Sequence, residues 1–452
     1  MDNVREMCSE VLVCLDGLSV FSGVCSTPVI KSLQELITVV ENANSKPREL
    51  IKAWASFSHT FVSHNKGRSF FMYWTEVIMM DENPFTLAAE RGEIKEHSVL
   101  TELAHSDLRR LAIIGDFDIP MLALHITDEL WRGGYEDMAQ LIEKGVRIIG
   151  ELKAKNFDLP TEILPYSLLV NQRIEPFVEF IKQNGAGTLG KYNFFYWKRE
   201  KGLVPALYVD EITLASLSGY EKQREIVINN TKCLLEGKPA NNILLYGDRG
   251  TGKSATVKAV CNEYKDRGLR LVEVSKQDLS EIPHIMTALG ERGLKFVLFI
   301  DDLSFERQND DFMLLKALLE GGIESKPKNV VVYATSNRRH FVRERPEDRP
   351  SSAAAAAGDM RMFDTIQEQL SLADRFGVTV VYSAPSQEEF IKIAEFIADK
   401  RRFFEDNDSD KKRGQFRENA LRWERWFNGR SPRTARQYVD WVEGGAGFPW
   451  EA

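Results

Sequence analysis

The sequence predicts an α/β protein built on a parallel sheet, with a mostly helical region before the sheet and a helical lid after it. Three observations carry that reading. From about residue 209 onward strand-like and helix-length segments alternate, which implies a parallel sheet covered by helices on both faces. Residues Gly247-Asp-Arg-Gly-Thr-Gly252-Lys253-Ser254 match G-x-x-x-x-G-K-[ST] directly after the strand-like run Asn242–Tyr246. Residues 1 to about 182 instead space their apolar side chains at three- and four-residue intervals with few turn clusters. The expected division is a helical domain over 1–184, a linker over 185–208, an α/β nucleotide-binding core over 209–385 and a helical lid over 386–452.

In the helical region, Leu100, Leu103, Leu108, Leu111 and Ile114 are expected on one face, as are Met138, Leu141, Ile142, Ile149 and Leu152. Such stripes are read as core. No catalytic constellation stands out here, so the region reads as a specificity or partner-binding module. Gly185-Ala-Gly187-Thr-Leu-Gly190 matches G-x-G-x-x-G, but the preceding Glu175–Lys182 reads as helix and no βαβ unit surrounds it. A hinge or turn is the better reading. The aromatic and basic stretch Tyr192–Lys201 then leads past Pro205 into the second half.

In that half the expected strands after the loop strand are Leu269–Val274, Lys295–Asp301, Asn329–Thr335 and Gly377–Ser383. Ligands bind at the carboxyl ends of such strands. The segment Arg343–Met362, with Pro346, Pro350 and five consecutive alanines, reads as a flexible surface insertion.

The phosphate loop demands glycines because its backbone N–H groups must turn inward within a few residues. Gly247, Asp248, Arg249, Gly250, Thr251 and Gly252 are assigned to that nest. Lys253 can reach the β- and γ-phosphates of ATP, and Ser254 can ligate Mg²⁺, while the helix from Ser254 to Tyr264 adds the favourable end of its dipole. Phe296–Ile300 is an apolar run ending in Asp301 and Asp302. Asp301 is assigned to the metal through its water shell and Asp302 to activation of the attacking water. The short side chain of Asp302 limits its reach toward the water, which implies slow hydrolysis. Asn337 ends the next strand, where its amide can hydrogen-bond both the γ-phosphate and the water. Arg375 lies just before the last strand, at the sheet's rim, placed to contact a nucleotide held by a neighbouring subunit. In the lid, Arg433 and, as the second choice, Arg436 follow Pro432 at a helix start and face the phosphates.

Composition bounds the rest. Of the 452 residues 43% are hydrophobic and 28% charged, which is ordinary for a globular chain, and the net charge of −8 disfavours a surface built to grip nucleic acid. Basic residues at 400–402, 411–413 and 417 are diluted by Glu405, Asp406, Asp408, Asp410 and Glu418. Five cysteines form no C-x-x-C pair, so neither a disulfide framework nor a zinc site is indicated. No apolar stretch approaches the ~20 residues of a membrane span. The expectation is a cytoplasmic protein with no membrane partner.

A phosphate loop, an Asp-Asp strand, a strand ending in Asn, an Arg before the last strand and a lid helix with Arg, in that order, resemble the AAA+ ATPases. That resemblance implies the sheet order 5-1-4-3-2. The chain more closely resembles the bacterial domain of unknown function 815 family, through segments such as Leu-Leu-Tyr-Gly247-Asp-Arg-Gly-Thr-Gly-Lys-Ser254, Asp301-Asp-Leu-Ser-Phe-Glu306, Ala334-Thr-Ser-Asn-Arg-Arg-His340, Ser371-Leu-Ala-Asp-Arg-Phe-Gly377 and Gly429-Arg-Ser-Pro-Arg-Thr-Ala-Arg-Gln437. It departs from the family pattern at Pro432, where Gly is usual. The resemblance also implies an adenine site near Gly219-Tyr220, with Tyr220 either stacked on the base or anchoring the following helix. The expected function is an ATPase acting as a homo-oligomeric, ATP-driven remodelling motor or switch, its helical domain binding a protein client. The alternatives are a nucleotide-gated loader acting on nucleic-acid complexes and an ATP-binding scaffold without turnover.

Overall fold

A computed structural model describes residues 2–65, 69–95, 97–151, 174–303, 326–337, 375–404, 409–427, 429–445, 447–448 and 450. The insertion 343–362, Glu306 and Asp374 lie outside these residues. Two compact units result, one comprising Met1–Lys191 with Arg292–Leu294, the other Tyr192–Glu291 with Lys295–Ala452. Residues 185–208, expected as a linker, divide between them. Residues 185–191 belong to the first unit, and the stretch from Tyr192 opens the second.

The first unit is helical. Its helices are α1 (Asp2–Asp16), α2 (Pro28–Glu41), α3 (Pro47–Asn65), α4 (Phe70–Met80), α5 (Pro84–Arg91), α6 (Val99–Gly115), α7 (Ile119–Arg132), α8 (Glu136–Glu151), α9 (Glu175–Asn184) and α10 (Thr188–Lys191). Their starts follow the sequence: Ser69, Asn83, Ser98 and Asp118 each accept a first-turn backbone N–H, which satisfies donors the helix itself leaves free. Among the described residues an apolar core runs through the unit and includes Phe21, Phe57, Phe61, Trp74, Phe85 and Phe177. Where the chain turns after α1, the fully buried Asp107 carboxylate accepts N–H bonds from Ser19, Val20 and Phe21.

The expected stripes need correction. Leu108, Leu111 and Ile114 are buried, but Leu103 is 42% exposed, because the buried face of α6 runs through Thr101, Ala104, Asp107, Leu108 and Leu111. At about 100° per residue Leu103 lies well off that face. On α8 only Ile142 of the described stripe is buried, and Met138 and Leu141 point to solvent. The side chains of Ile149 and Leu152 lie outside the described residues. Between α9 and α10, Gly185 and Gly187 both take positive φ, so the glycine-bearing stretch is a turn.

The second unit holds a seven-stranded sheet, β1 (Phe194–Lys198), β2 (Gly202–Pro205), β3 (Ile243–Gly247), β4 (Leu269–Glu273), β5 (Lys295–Ile300), β6 (Val330–Ser336) and β7 (Val378–Tyr382), in the order β2-β1-β4-β5-β6-β3-β7. Every pairing is parallel except β1 with β2. Counted from the loop strand β3, the five expected strands stand in the order 5-1-4-3-2. The hairpin β1–β2 is an addition that the aromatic, basic stretch did not reveal as strand. Its residues Phe194 and Phe195 are buried, and Phe194 pairs with Leu271 on β4, which sets the hairpin on the sheet's edge. Strands β3, β5 and β6 are buried along almost their whole length, as central parallel strands must be. Helices α11 (Glu221–Leu235), α12 (Lys253–Glu263) and α13 (Ile282–Gly290) belong to the same unit. The lid follows as α14 (Gln387–Lys400), α15 (Ser409–Trp426) and α16 (Pro432–Glu443), packed around Phe390, Phe416, Trp423 and Tyr438. Ser386 and Glu389 form a reciprocal cap that fixes where α14 begins. Among the described residues no helix is long and apolar enough to cross a membrane.

Candidate functional site

The carboxyl ends of β3, β5, β6 and β7 come together, and a cleft of about 640 Å³ opens over them. Its walls include Arg249–Thr256, Asp301, Asp302, Thr335 and Asn337, with Tyr220 and Arg224 before the loop strand and Ile393, Arg433 and Arg436 from the lid. Sequence-predicted residues from five separate segments thus converge.

The loop's shape follows from missing side chains. A Cβ on Gly247 would lie 2.1 Å from the Tyr382 carbonyl oxygen, and Gly247 has φ +134. No other residue fits between β3 and β7 at that point. At Gly250, φ +75, a Cβ would meet Ser431 Oγ at 2.8 Å, and the Gly250 carbonyl accepts the Arg433 N–H at 3.2 Å. The start of α16 therefore rests on the loop itself. Asp248 is turned another way: its N–H bonds to the Tyr382 carbonyl, and its Oδ2 accepts from the Ala384 N–H at 2.7 Å. It fastens the end of β7 to the loop.

Lys253 opens α12 with its side chain folded back into the nest. Its Nζ donates to the carbonyls of Gly247 at 3.1 Å and Asp248 at 2.7 Å, and the residue is only 5% exposed. Burial pulls its ammonium down to about 8, against the opposing pull of Asp248, Asp301 and Asp302. One position on, Ser254 Oγ donates to Asp301 Oδ1 at 2.6 Å. The same oxygen accepts from Thr335 Oγ1 at 2.5 Å and from the Asp302 N–H at 3.1 Å.

Asp302 sits in the left-handed region, φ 53, which costs a non-glycine residue about 1 kcal/mol or more. Its backbone is held there by the bond from its N–H to Thr335 Oγ1 at 2.9 Å. Its carboxylate accepts from Asn337 Nδ2 at 2.7 Å, and Lys276 Nζ lies 3.6 Å from the other oxygen. Thr335 and Lys276 escaped the sequence reading. Thr335 lies inside an expected strand, where a buried threonine normally signals only packing.

Tyr220, φ 61, stacks on Tyr382 at 5.0 Å and gives its hydroxyl to the Ser383 carbonyl at 2.6 Å. Those contacts anchor the start of α11 to the end of β7, and Tyr220 also lines the cleft. Arg375 is not among the cleft residues. It is half-buried before Val378, which pairs with Ile243 at the start of β3, whereas the loop follows Gly247, paired with Tyr382. Strand β7 alone separates these ends by about 13 Å.

Residues 190–446 match the family model described as "Protein of unknown function (DUF815)". The chain belongs to this family. No curated protein matches it in sequence. Among solved structures it is similar to a variant of RuvB from Thermotoga maritima, with 17% identity and a TM-score of 0.33 over 52% of this chain. This chain covers 64% of that one. A second Thermotoga maritima RuvB variant gives 14% and 0.34, covering 52% and 66% of the two chains. The Thermotoga maritima RuvB Holliday junction branch migration motor gives 14% and 0.28, covering 51% and 71%. Within the DUF815 chain itself, the strand order β7-β3-β6-β5-β4 is the 5-1-4-3-2 order that the resemblance to the AAA+ ATPases implied.

Thr335→Val removes the hydroxyl that joins Asp301 to Asp302 while keeping the side chain's volume. Chemical denaturation should show a loss of about 1–3 kcal/mol, and Thr335→Ser should retain most of the stability. Equal losses in the two variants would assign the residue a packing role only.

Proposed function

We propose that this DUF815 protein binds Mg·ATP in the cleft and hydrolyses it, working as a homo-oligomeric remodelling motor or switch whose helical region engages a protein client. The observation that carries the reading is the 2.6 Å bond from Ser254 to Asp301 beside the buried Lys253 ammonium. It sets a hydroxyl and a carboxylate, both hard oxygen donors, next to a cation in a nest of backbone N–H groups. That donor set fits Mg²⁺ and a polyphosphate. Ser254 and Asp301 would hold Mg²⁺, which would supply positive charge to offset the charge that develops on the phosphate oxygens.

The chain's own residues divide the remaining work. Lys253 exchanges its two carbonyl partners for phosphate oxygens, and Ser254 and Asp301 hold the metal's shell. Asp302 accepts a hydrogen bond from Asn337 on a carboxylate that is 57% exposed, and it orients and polarises the attacking water. Asn337, already donating to Asp302, fixes that carboxylate and the water together. Arg433 and Arg436 face the cleft from the lid and favour negative charge there. Arg375, remote from its own loop, serves the nucleotide of a neighbouring copy, which makes the oligomer the active unit.

Lys253→Ala should weaken Mg·ATP binding at least 100-fold by calorimetry. In the wild type, affinity should fall as pH rises through 8, approaching about tenfold per unit above it, because the nucleotide binds the charged ammonium. An affinity that is flat to pH 9 would mean that Lys253 stays charged or takes no part.

Asp302→Asn should keep ATP bound and slow phosphate release at least tenfold. Wild-type turnover in this variant would transfer water activation to another group.

Arg375→Ala should bind ATP normally and turn it over slowly, and mixing it with Lys253→Ala should restore some activity through interfaces that pair an intact loop with an intact arginine. A chain that stays monomeric with ATP in analytical ultracentrifugation would sink this assignment.

A further inference from the structure

The helical unit takes in three residues that in sequence lie between α13 and β5: Arg292, Gly293 and Leu294. Their socket is built around Glu90 on α5, whose side chain is 1% exposed. Arg292 grips that carboxylate with two prongs, Nε to Oε1 at 2.8 Å and Nη2 to Oε2 at 2.7 Å. Its Nη1 reaches Glu82 at 2.5 Å, and Nη2 also bonds the Ala186 carbonyl at 3.2 Å. Glu90 further accepts the N–H of Gly293 at 2.9 Å and of Ala186 at 2.7 Å. Burial raises the Glu90 carboxyl, but these donors outweigh it and hold the group below its ordinary value.

Shape fixes the other two residues. A Cβ on Gly293 would lie 1.9 Å from the Glu90 carbonyl oxygen, so only glycine fits. Leu294 is 2% exposed and fills the space beside Gly185, where a Cβ would meet its methyl at 2.6 Å. A buried carboxylate with this many donors tolerates the loss of none cheaply, so the three residues are locked as a plug. The chain then runs directly into β5. That strand is hydrogen-bonded on both sides, to β4 and β6, and ends at Asp301 and Asp302 about 20 Å on.

We propose that the Arg292–Leu294 plug couples the helical unit to the acidic end of β5, which makes Glu90 and Arg292 positioning residues for Asp301 and Asp302. Its catalytic consequence rests on the ATPase reading; the mechanical link does not. Coupling is reciprocal, so whatever engages the helical unit is felt at Asp301, and nucleotide is felt at Glu90.

The test uses the full chain and site-resolved hydrogen exchange. In the wild type, Mg·ATP should change exchange of the Ala186 and Gly293 amides, both donated to Glu90, at least threefold. Arg292→Lys keeps the charge and the stem but loses the fork, so it should fold. It should speed exchange of the Asp302 amide at least threefold and lower kcat at least fivefold, with ATP affinity within twofold. Arg199→Lys, at the exposed partner of Glu281, should move neither quantity. Unchanged Asp302 exchange in Arg292→Lys overturns the proposal, as does unchanged exchange at Ala186 and Gly293 when calorimetry shows ATP bound. If calorimetry shows no ATP binding, the functional reading fails, and the Asp302 amide alone decides the plug.

Discussion

One oxygen atom, Asp301 Oδ1, collects the site. It accepts hydrogen bonds from the first turn of α12, from β6 and from the backbone of Asp302. Three donors on this one half-buried carboxylate oxygen fix three chain segments relative to one another. The left-handed turn at Asp302 depends on it too, since the N–H that points into this node leaves the Asp302 side chain directed into the cleft. Around the node, cohesion is local: Asn337 braces Asp302, Lys253 fills the loop, and Gly250 receives the lid.

Much of this was legible in the sequence because the constraints there are local. The phosphate loop is a matter of glycine positions and one cation. The parallel strands announce themselves as continuous apolar runs between helix-length segments, and their observed limits lie within a residue or so of those expected. The topology needed more than pattern, and it came from the family resemblance that the order of motifs carries. What escaped needed tertiary information. The hairpin β1–β2 looks like an aromatic and basic connector until β4 supplies a partner for Phe194. Thr335 acts through a hydroxyl whose partners come from another strand. Leu103 and Met138 satisfy helical spacing as well as their buried neighbours do, and only packing tells the two faces apart.

Residues of one motif also divide their labour in ways that spacing does not reveal. Asp248 belongs to the loop pattern, yet its carboxylate caps the chain leaving β7. Tyr220 stands where a base-stacking ring is expected, yet its hydroxyl and one face are committed to Ser383 and Tyr382. Both tie the segments that flank β3 to the end of β7, so the rim of the cleft is held by groups that never reach a phosphate.

The seat of α16 on Gly250 makes the lid's attachment a latch. The lid's first turn meets the loop through a single backbone bond, from Arg433 to Gly250, in a space that any side chain would close. A bond of that kind contributes only about 1 kcal/mol net, and water can replace it on both sides when it opens. Parting lid from loop at this point therefore requires no disruption of either core, and the loop's conformation alone determines whether the latch has somewhere to close.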